Sequence, residues 1–410
     1  MKKIFFALTV FAVILSVCLL STAFAAPVQI TVSSWQWEEV PFNGFYREVA
    51  KQFTKENPGY VIEEQYTPFA KYFDKMLADT AAEAVPDVMM LRIEDLGQYS
   101  TEGVLEPLDK WMSKDLKQSF VDAQYLSPVK IKGKTYAVIM QYVGQELLYN
   151  KELFEQAGVE VPKTADELVA AAKKLTKAPD QYGYPFMTLA QEAFFSHLSY
   201  WIYGQDKNFL VKGIKVNGPG EIKAAQYYKQ LFDAKVTPIG VDKSVIRNLF
   251  VQGKAAMIFD GPGVMGLIRK QNPGLESKIG SKVVPFPTGT AVAQDNLLTI
   301  PAASKNKKMA WKFVEIASRP EFMAKFLQMT DCTPGRKDVV TKAYLDKNPW
   351  FTGFAEGANN LRVAVSPYSQ IDAQVRRIVI DAVQSVLYAD VPVKKALDGA
   401  QKQVDQLKKK

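Results

Sequence analysis

Trp35 and Trp37 lie two residues apart directly after Val28, Ile30 and Val32, an alternating run that reads as a strand. If the extended conformation persists, both indoles share one face at the strand's carboxyl end. Flat rings of this kind cover the apolar C–H faces of a polyhydroxylated molecule, and planar amides, carboxylates and guanidinium groups meet its hydroxyl rim. Glu38 and Glu39 follow as acceptors. Tyr66 and Phe69 come after a second strand and can supply a wall, and Arg92 stands directly after the apolar run Val88 to Leu91. Each has a plainer reading: core packing for the Trp pair, a cap on the core for Phe69, and a loop ion pair with Glu94 or Asp95 for Arg92.

Other chemistries are poorly served. A single histidine, His197, leaves no material for a His-rich metal cluster or a Ser-His-Asp triad, and reads as structural. No metal site and no cofactor are expected. The net charge of +8 falls by two once Lys2 and Lys3 are removed, and acidic residues are spread along the chain. This is a mildly basic surface, not a nucleic-acid footprint, with Lys408, Lys409 and Lys410 as a solvated tail. Cys18 and Cys332 are the only cysteines, and Cys18 lies in the leader described next, so core burial rather than a disulfide must hold the mature chain together.

Lys2 and Lys3 precede an apolar run from Ile4 to Leu20, and Ala23-Phe24-Ala25 has the small-x-small pattern of a signal-peptidase site. The expectation is a cleaved leader over 1–25, a mature chain beginning at Ala26 and a periplasmic product. The alternatives are an uncleaved anchor, because the run nears the length of a spanning helix, and a lipoprotein, which bulky Val17 before Cys18 disfavours.

The elements that must position the candidate residues follow in order. Phe42, Phe45/Tyr46, Val49 and Phe53 recur at helical spacing until Asn57-Pro58-Gly59; Tyr60 to Tyr66 reads as a strand, Tyr72 to Ala82 as a helix, and Val88 to Leu91 as a buried strand. This βαβαβ order implies a parallel sheet whose ligands gather beyond the strands' carboxyl ends. A second such unit starts near Gln145: a strand at Leu147 to Tyr149, a helix from Lys151 closed by Gly158, and a capping box at Thr164 to Glu167. Further helices are predicted at Lys307 to Ser318, from Pro320, at Ile371 to Tyr388 and at Val393 to Leu407. The 410 residues exceed one typical core and form two α/β lobes without a flexible linker.

Four segments together resemble the extracellular solute-binding proteins of family 1, the maltose-binding-like group. They are Pro86-Asp87-Val88 with Leu96 to Leu108; Gly133 to Val138 leading to Leu148-Tyr149-Asn150-Lys151-Glu152-Leu153-Phe154, Ala157-Gly158 and Pro162-Lys163-Thr164; Gly253 to Met257 with Asp260-Gly261-Pro262; and Ser304 to Phe313. The resemblance implies a type II-like, two-lobed periplasmic-binding fold, each lobe a mostly parallel sheet flanked by helices, with the ligand cleft between. It places lobe one at 27–139 and 290–330, lobe two at 143–285 and 335–410, and the hinge near 140–142, 286–289 and 331–334.

It also implies a non-enzymatic role: capture of a carbohydrate by hinge closure and its delivery to the permease subunits of an ABC importer, by a monomer without nucleic-acid partners. Gln141 and Tyr142 fall in the linking region. Asp260-Gly261-Pro262 matches a turn that faces the cleft in the family, but Gly263 stands where an aromatic residue often follows, unless Trp201 or Trp350 substitutes. Trp201 and Tyr203 belong to an aromatic stretch that must be largely core. Asp295 and Asn296 stand where relatives commonly carry glycines. Rival readings are a ligand that is a sugar acid or phosphorylated polyol held by Arg92, and a secreted carbohydrase using two carboxylates, for which adjacent Glu38 and Glu39 make a poor pair.

Overall fold

The computed structural model describes residues 26–119, 129–210, 213–363 and 371–408. The leader with Cys18, Lys409 and Lys410 of the tail, and the Glu94 side chain lie outside the described residues. Strand β1 (Val28–Ser34), helix α1 (Phe42–Glu56), β2 (Tyr60–Tyr66), α2 (Phe69–Ala81) and β3 (Val88–Arg92) follow one another as the periodicity predicts. β1 lies between β2 and β3 and runs parallel to both. Phe45, Tyr46, Val49 and Phe53 of α1 are buried, which fixes that helix on the sheet. α3 (Ile93–Thr101) leaves directly from the end of β3.

The chain then supplies β4 (Val138–Gly144), β5 (Glu146–Asn150), α4 (Lys151–Ala157), α5 (Ala165–Lys174), α6 (Glu192–Gln205), α7 (Pro219–Asp233), α8 (Lys243–Val251), β6 (Met257–Asp260), β7 (Ile279–Lys282) and β8 (Ala291–Thr299). Helices α9 (Lys307–Ala317) and α10 (Pro320–Thr330) precede the short strands β9 (Thr333–Pro334) and β10 (Leu361–Val363); α11 (Asp372–Tyr388) and α12 (Val393–Leu407) close the chain. Local signals are realised closely. Gly158 ends α4 at φ 59°, in the left-handed region a glycine enters without strain. Thr164 Oγ1 accepts from the Glu167 N–H at 3.2 Å, while the Glu167 carboxylate accepts from the Lys163 N–H, one residue before the expected partner.

Strand direction departs from expectation. The large sheet has the order β9-β4-β8-β3-β1-β2, with β10 beside β8, and it is mixed: β8 runs antiparallel to both β3 and β4. The small sheet, β6-β5-β7, is antiparallel on both sides of β5. Alternating strand and helix signals fix local order, but not the direction in which strands far apart in sequence meet.

Each sheet carries its own core. In lobe one Phe53 of α1 packs against Phe313 of α9; in lobe two Trp201 of α6 packs against Phe259 of β6 and against Phe286. The chain passes between the sheets at Gly144–Glu146 and again between β7 and β8; after β9 it packs against the small sheet, where the Trp350 carbonyl accepts from the Ser281 hydroxyl, before β10 rejoins the large one. Among the described residues no helix is long and apolar enough to cross a membrane.

Candidate functional site

The site begins where β1 stops. Ser34 ends the strand by accepting the Gln36 N–H on its hydroxyl at 2.9 Å, which turns Trp35–Trp37 into a single 3-10 turn. The extended conformation does not persist, and the two indoles part company. Trp37 folds back into the core, donating Nε1–H to the Val32 carbonyl at 2.7 Å. Trp35 reaches the cleft, but at 3% exposure it shows only an edge, because Phe69, Tyr72 and Phe73 pack around it. The open ring is Phe69, at the first turn of α2 and 50% exposed.

Three adjacent strands complete the floor. The register pairs Asn296 of β8 with Arg92 of β3 on one side and with Gln141 of β4 on the other, so the three residues form one row across the sheet. The β8–β4 pairing shifts just beyond Asn296 and skips Met140; a bulge of this kind re-aims the side chains beside it. Gln141 and Val143 turn to the cleft, and Tyr142 between them is buried on the other side, as strand alternation requires.

A cavity of about 470 Å³ opens above this row, walled by Trp35, Gln36, Glu39, Phe42, Phe69, Arg92, Gln141, Val143, Asp295 and Asn296 from lobe one and by Lys243 and Arg247 from lobe two. The buried side-chain oxygens Oε1 of Gln36 and Oε1 of Gln141 have no hydrogen-bond partner among the described residues. A buried acceptor left this way costs roughly 1–3 kcal/mol until something donates to it. Burial pushes the Glu39 carboxyl above its ordinary value.

The opposite wall is cationic. Lys243 and Arg247 lie four residues apart on α8 and share one carboxylate beneath them, Asp260 at the end of β6. Arg247 grips it with Nε at 2.6 Å and Nη2 at 2.7 Å, and the Gly261 N–H adds a bond of 2.8 Å. Burial pushes the Asp260 carboxyl up, but Lys243, Arg247 and the Gly261 N–H outweigh it and hold it well below the usual carboxylate range. Burial depresses the Lys243 ammonium.

Of the residues anticipated from sequence, Trp35, Glu39, Phe69, Arg92, Gln141 and Asn296 come together at the cavity. Arg92 also makes the plainer contact: Asp95 takes its Nε at 2.8 Å and its Nη2 at 3.0 Å, and Phe73 lies 3.8 Å from the guanidinium carbon. The others lie elsewhere. Glu38 pairs with Arg47 at the surface, and Tyr66 is an exposed residue at the end of β2. Trp201, bonded through Nε1 to the Tyr184 hydroxyl at 3.3 Å, and Tyr203 are core residues of lobe two. Trp350 is buried against Phe351 and Phe354, so neither it nor Trp201 replaces the aromatic residue absent at Gly263. Asp260 acts from below through its cations; a Cβ on Gly261 would stand 2.4 Å from Val143, so its glycine serves close approach, and Pro262 is buried beside it.

Sequence reasoning missed Gln36, Phe42, Val143, Lys243 and Arg247 as cavity residues. Basic residues at i and i+4 on a helix read as a solvated face, and the only warning was their proximity to the Asp260 turn.

Two lobes joined by chain crossings, with a polar cleft between them, define a class: proteins that enclose a small solute between two α/β bodies. Residues 48–353 match the bacterial extracellular solute-binding protein family, and the chain belongs to it. The likeness carried by the motifs is thus confirmed. A protein of Brucella abortus, described only as a binding protein, is 29% identical over 378 residues, 90% of each chain. The galactooligosaccharide-binding protein of Bacillus subtilis is 27% identical over 237 residues, 55% of this chain and 54% of its own. Among solved structures, an ABC transporter solute-binding protein of Thermotoga lettingae bound to α-D-tagatose is 25% identical, with a TM-score of 0.78 over 93% of this chain and 99% of that one. The sugar-binding protein MalE of Xanthomonas citri, at 22% identity and a TM-score of 0.80 over 93% and 96%, shares the fold.

Proposed function

We propose that this chain captures a carbohydrate outside the cytoplasmic membrane and hands it, chemically unchanged, to the permease subunits of an ABC importer. The observation that carries the reading is the pairing of walls: the half-exposed Phe69 ring and the Trp35 edge on lobe one, opposite Lys243 and Arg247 on lobe two. A sugar offers an apolar C–H face to the first wall and hydroxyl oxygens to the second. Its hydroxyl protons suit Gln36 Oε1 and Gln141 Oε1, acceptors that lack a donor among the described residues. Relatives named for galactooligosaccharide binding and a tagatose-bound neighbour support the same ligand class.

Capture proceeds by hinge closure. Only the closed arrangement lets both walls touch the ligand, so binding shifts the population toward it. The bending segments are those expected near 140–142, 286–289 and 331–334. The protein works as a monomer, without nucleic acid, after removal of residues 1–25 places it in the periplasm.

The test is a thermal-shift and calorimetric screen of sugars on purified protein, followed by mass spectrometry of the recovered ligand. A one-to-one complex that raises the melting temperature and returns the sugar intact is expected. Turnover of the sugar would favour a carbohydrase, and stabilisation by no sugar would defeat the reading.

A further inference from the structure

Three cations line the cavity, and they are not equally committed. Arg92 gives Nε and Nη2 to Asp95 and lies over Phe73. Arg247 gives Nε and Nη2 to Asp260, whose Oδ1 also takes the Gly261 N–H. Lys243 differs from both. Its side chain is 26% exposed, yet among the described residues Nζ reaches only Gln145 Oε1 at 3.4 Å and Asp260 Oδ1 at 3.5 Å, both at the long limit of useful contact. The Gln145 oxygen is also approached by the Tyr200 hydroxyl at 3.3 Å. Asp260 already accepts two bonds from Arg247 and one from Gly261, so two positive charges share one negative charge, and the surplus sits at the cavity wall. A largely buried ammonium without a short bond is an expensive arrangement unless an anion completes it.

Among the described residues no carboxylate besides Asp260 does so. Glu39 and Asp295 line the facing side, but neither comes within ion-pair distance of Lys243 or Arg247 among the described residues. His197, packed against Tyr200, is kept neutral by burial. The charge is therefore uneven: lobe one offers the acceptors Gln36, Gln141 and Glu39 beside an Arg92 that Asp95 pairs, and the surplus positive charge lies on lobe two.

We infer that the ligand is a carbohydrate bearing an oxyanion, a carboxylate or a phosphate, seated on Lys243 and Arg247, with its hydroxyls toward lobe one. This rests on the carbohydrate reading above and narrows it. It also moves the anion from Arg92, where sequence alone would put it, to lobe two. Lys243 is then the residue that selects an acidic sugar over its neutral parent.

The experiment is titration calorimetry of the wild-type protein and of Lys243→Gln and Lys243→Arg with glucose, galactose, glucuronate, galacturonate and glucose 6-phosphate. At least one acidic sugar should bind tenfold or more tighter than its neutral parent, on the order of one charge-assisted bond. Lys243→Gln should bring that ratio close to one, and Lys243→Arg, which keeps the charge, should retain most of it. Whether a uronate or the phosphate shows the preference identifies the oxyanion. Unchanged melting temperatures establish that the variants are folded, and a preference that survives Lys243→Gln overturns the proposal. A neutral parent that binds as tightly as its acid also overturns it, while leaving the carbohydrate reading intact. Binding of none of the five overturns the proposal, and the wider sugar screen above then decides the carbohydrate reading.

Discussion

Glu146 and Asp260 stand opposite each other in the β5–β6 register, both carboxyl groups buried, and they are held in opposite protonation states. Asp260 is kept ionised by Lys243 and Arg247. Glu146 has no cation beside it among the described residues: burial and the nearby Glu356 carboxylate push it up to about 8, against the hydrogen bond its Oε2 accepts from the Val284 N–H at 2.9 Å. One carboxylate organises the cleft wall, and its neighbour, at the crossing between the sheets, remains a neutral acid at neutral pH.

The pH dependence of stability should show this neutral acid. Because Glu146 is raised in the folded state, its contribution is fully present below the ordinary carboxylate range and is lost as pH rises toward about 8. Glu146→Gln should remove that slope and be more stable than wild type at pH 8, by on the order of 4 kcal/mol. Urea midpoints measured from pH 5 to pH 9 check it; parallel curves for the two proteins would refute it.

Asp260→Asn should destabilise strongly, because it leaves two cations around a neutral amide. Removing one partner of a buried pair costs about 3–5 kcal/mol. Asp260 is lowered in the folded state, so its stabilisation is present above the ordinary carboxylate range and fades as pH falls below it. The difference in urea midpoint between variant and wild type should therefore be large at pH 7 and shrink in acid.

His197 offers a direct spectroscopic check on the cationic wall. Burial, with Lys243 next in effect, lowers it to about 3, so the neutral ring is favoured and stability is lost as pH falls from the ordinary histidine value toward that range. As the sole histidine, its ring proton resonance is assigned without ambiguity. It should not move between pH 8 and pH 5; a titration midpoint near 6.5 would show that the ring is solvated.

Phe69→Ala should separate binding from folding. The ring is half-exposed, so its removal should leave the melting temperature within a degree or two, while sugar affinity falls roughly tenfold. Trp35→Ala should cost both stability and affinity, since that ring is packed among Phe69, Tyr72 and Phe73. Calorimetry and thermal unfolding of both variants distinguish the two outcomes.

Elements with strong local signals were legible in sequence. α1 carries its apolar stripe, Gly158 its left-handed cap and α12 its full extent from Val393 to Leu407. Less legible was whatever depends on distant partners. Nothing near β5 announces that β6 and β7 approach it from antiparallel directions, and nothing near Trp35 shows that Ser34 will cap a turn and send Trp37 into the core. Aromatic residues were over-read: Trp201, Tyr203 and Trp350 are large enough that burial claims them before a ligand can. Lys243 and Arg247 acquire meaning only when β6 brings Asp260 beneath α8.

Hydrogen exchange, read peptide by peptide with and without a saturating sugar, tests most directly whether two walls grip one ligand. Peptides covering the turn at Ser34–Phe42 and those covering Asp242–Val251 should both slow when the sugar binds. Protection of one wall alone, or of neither while calorimetry still records binding, would contradict capture between the lobes.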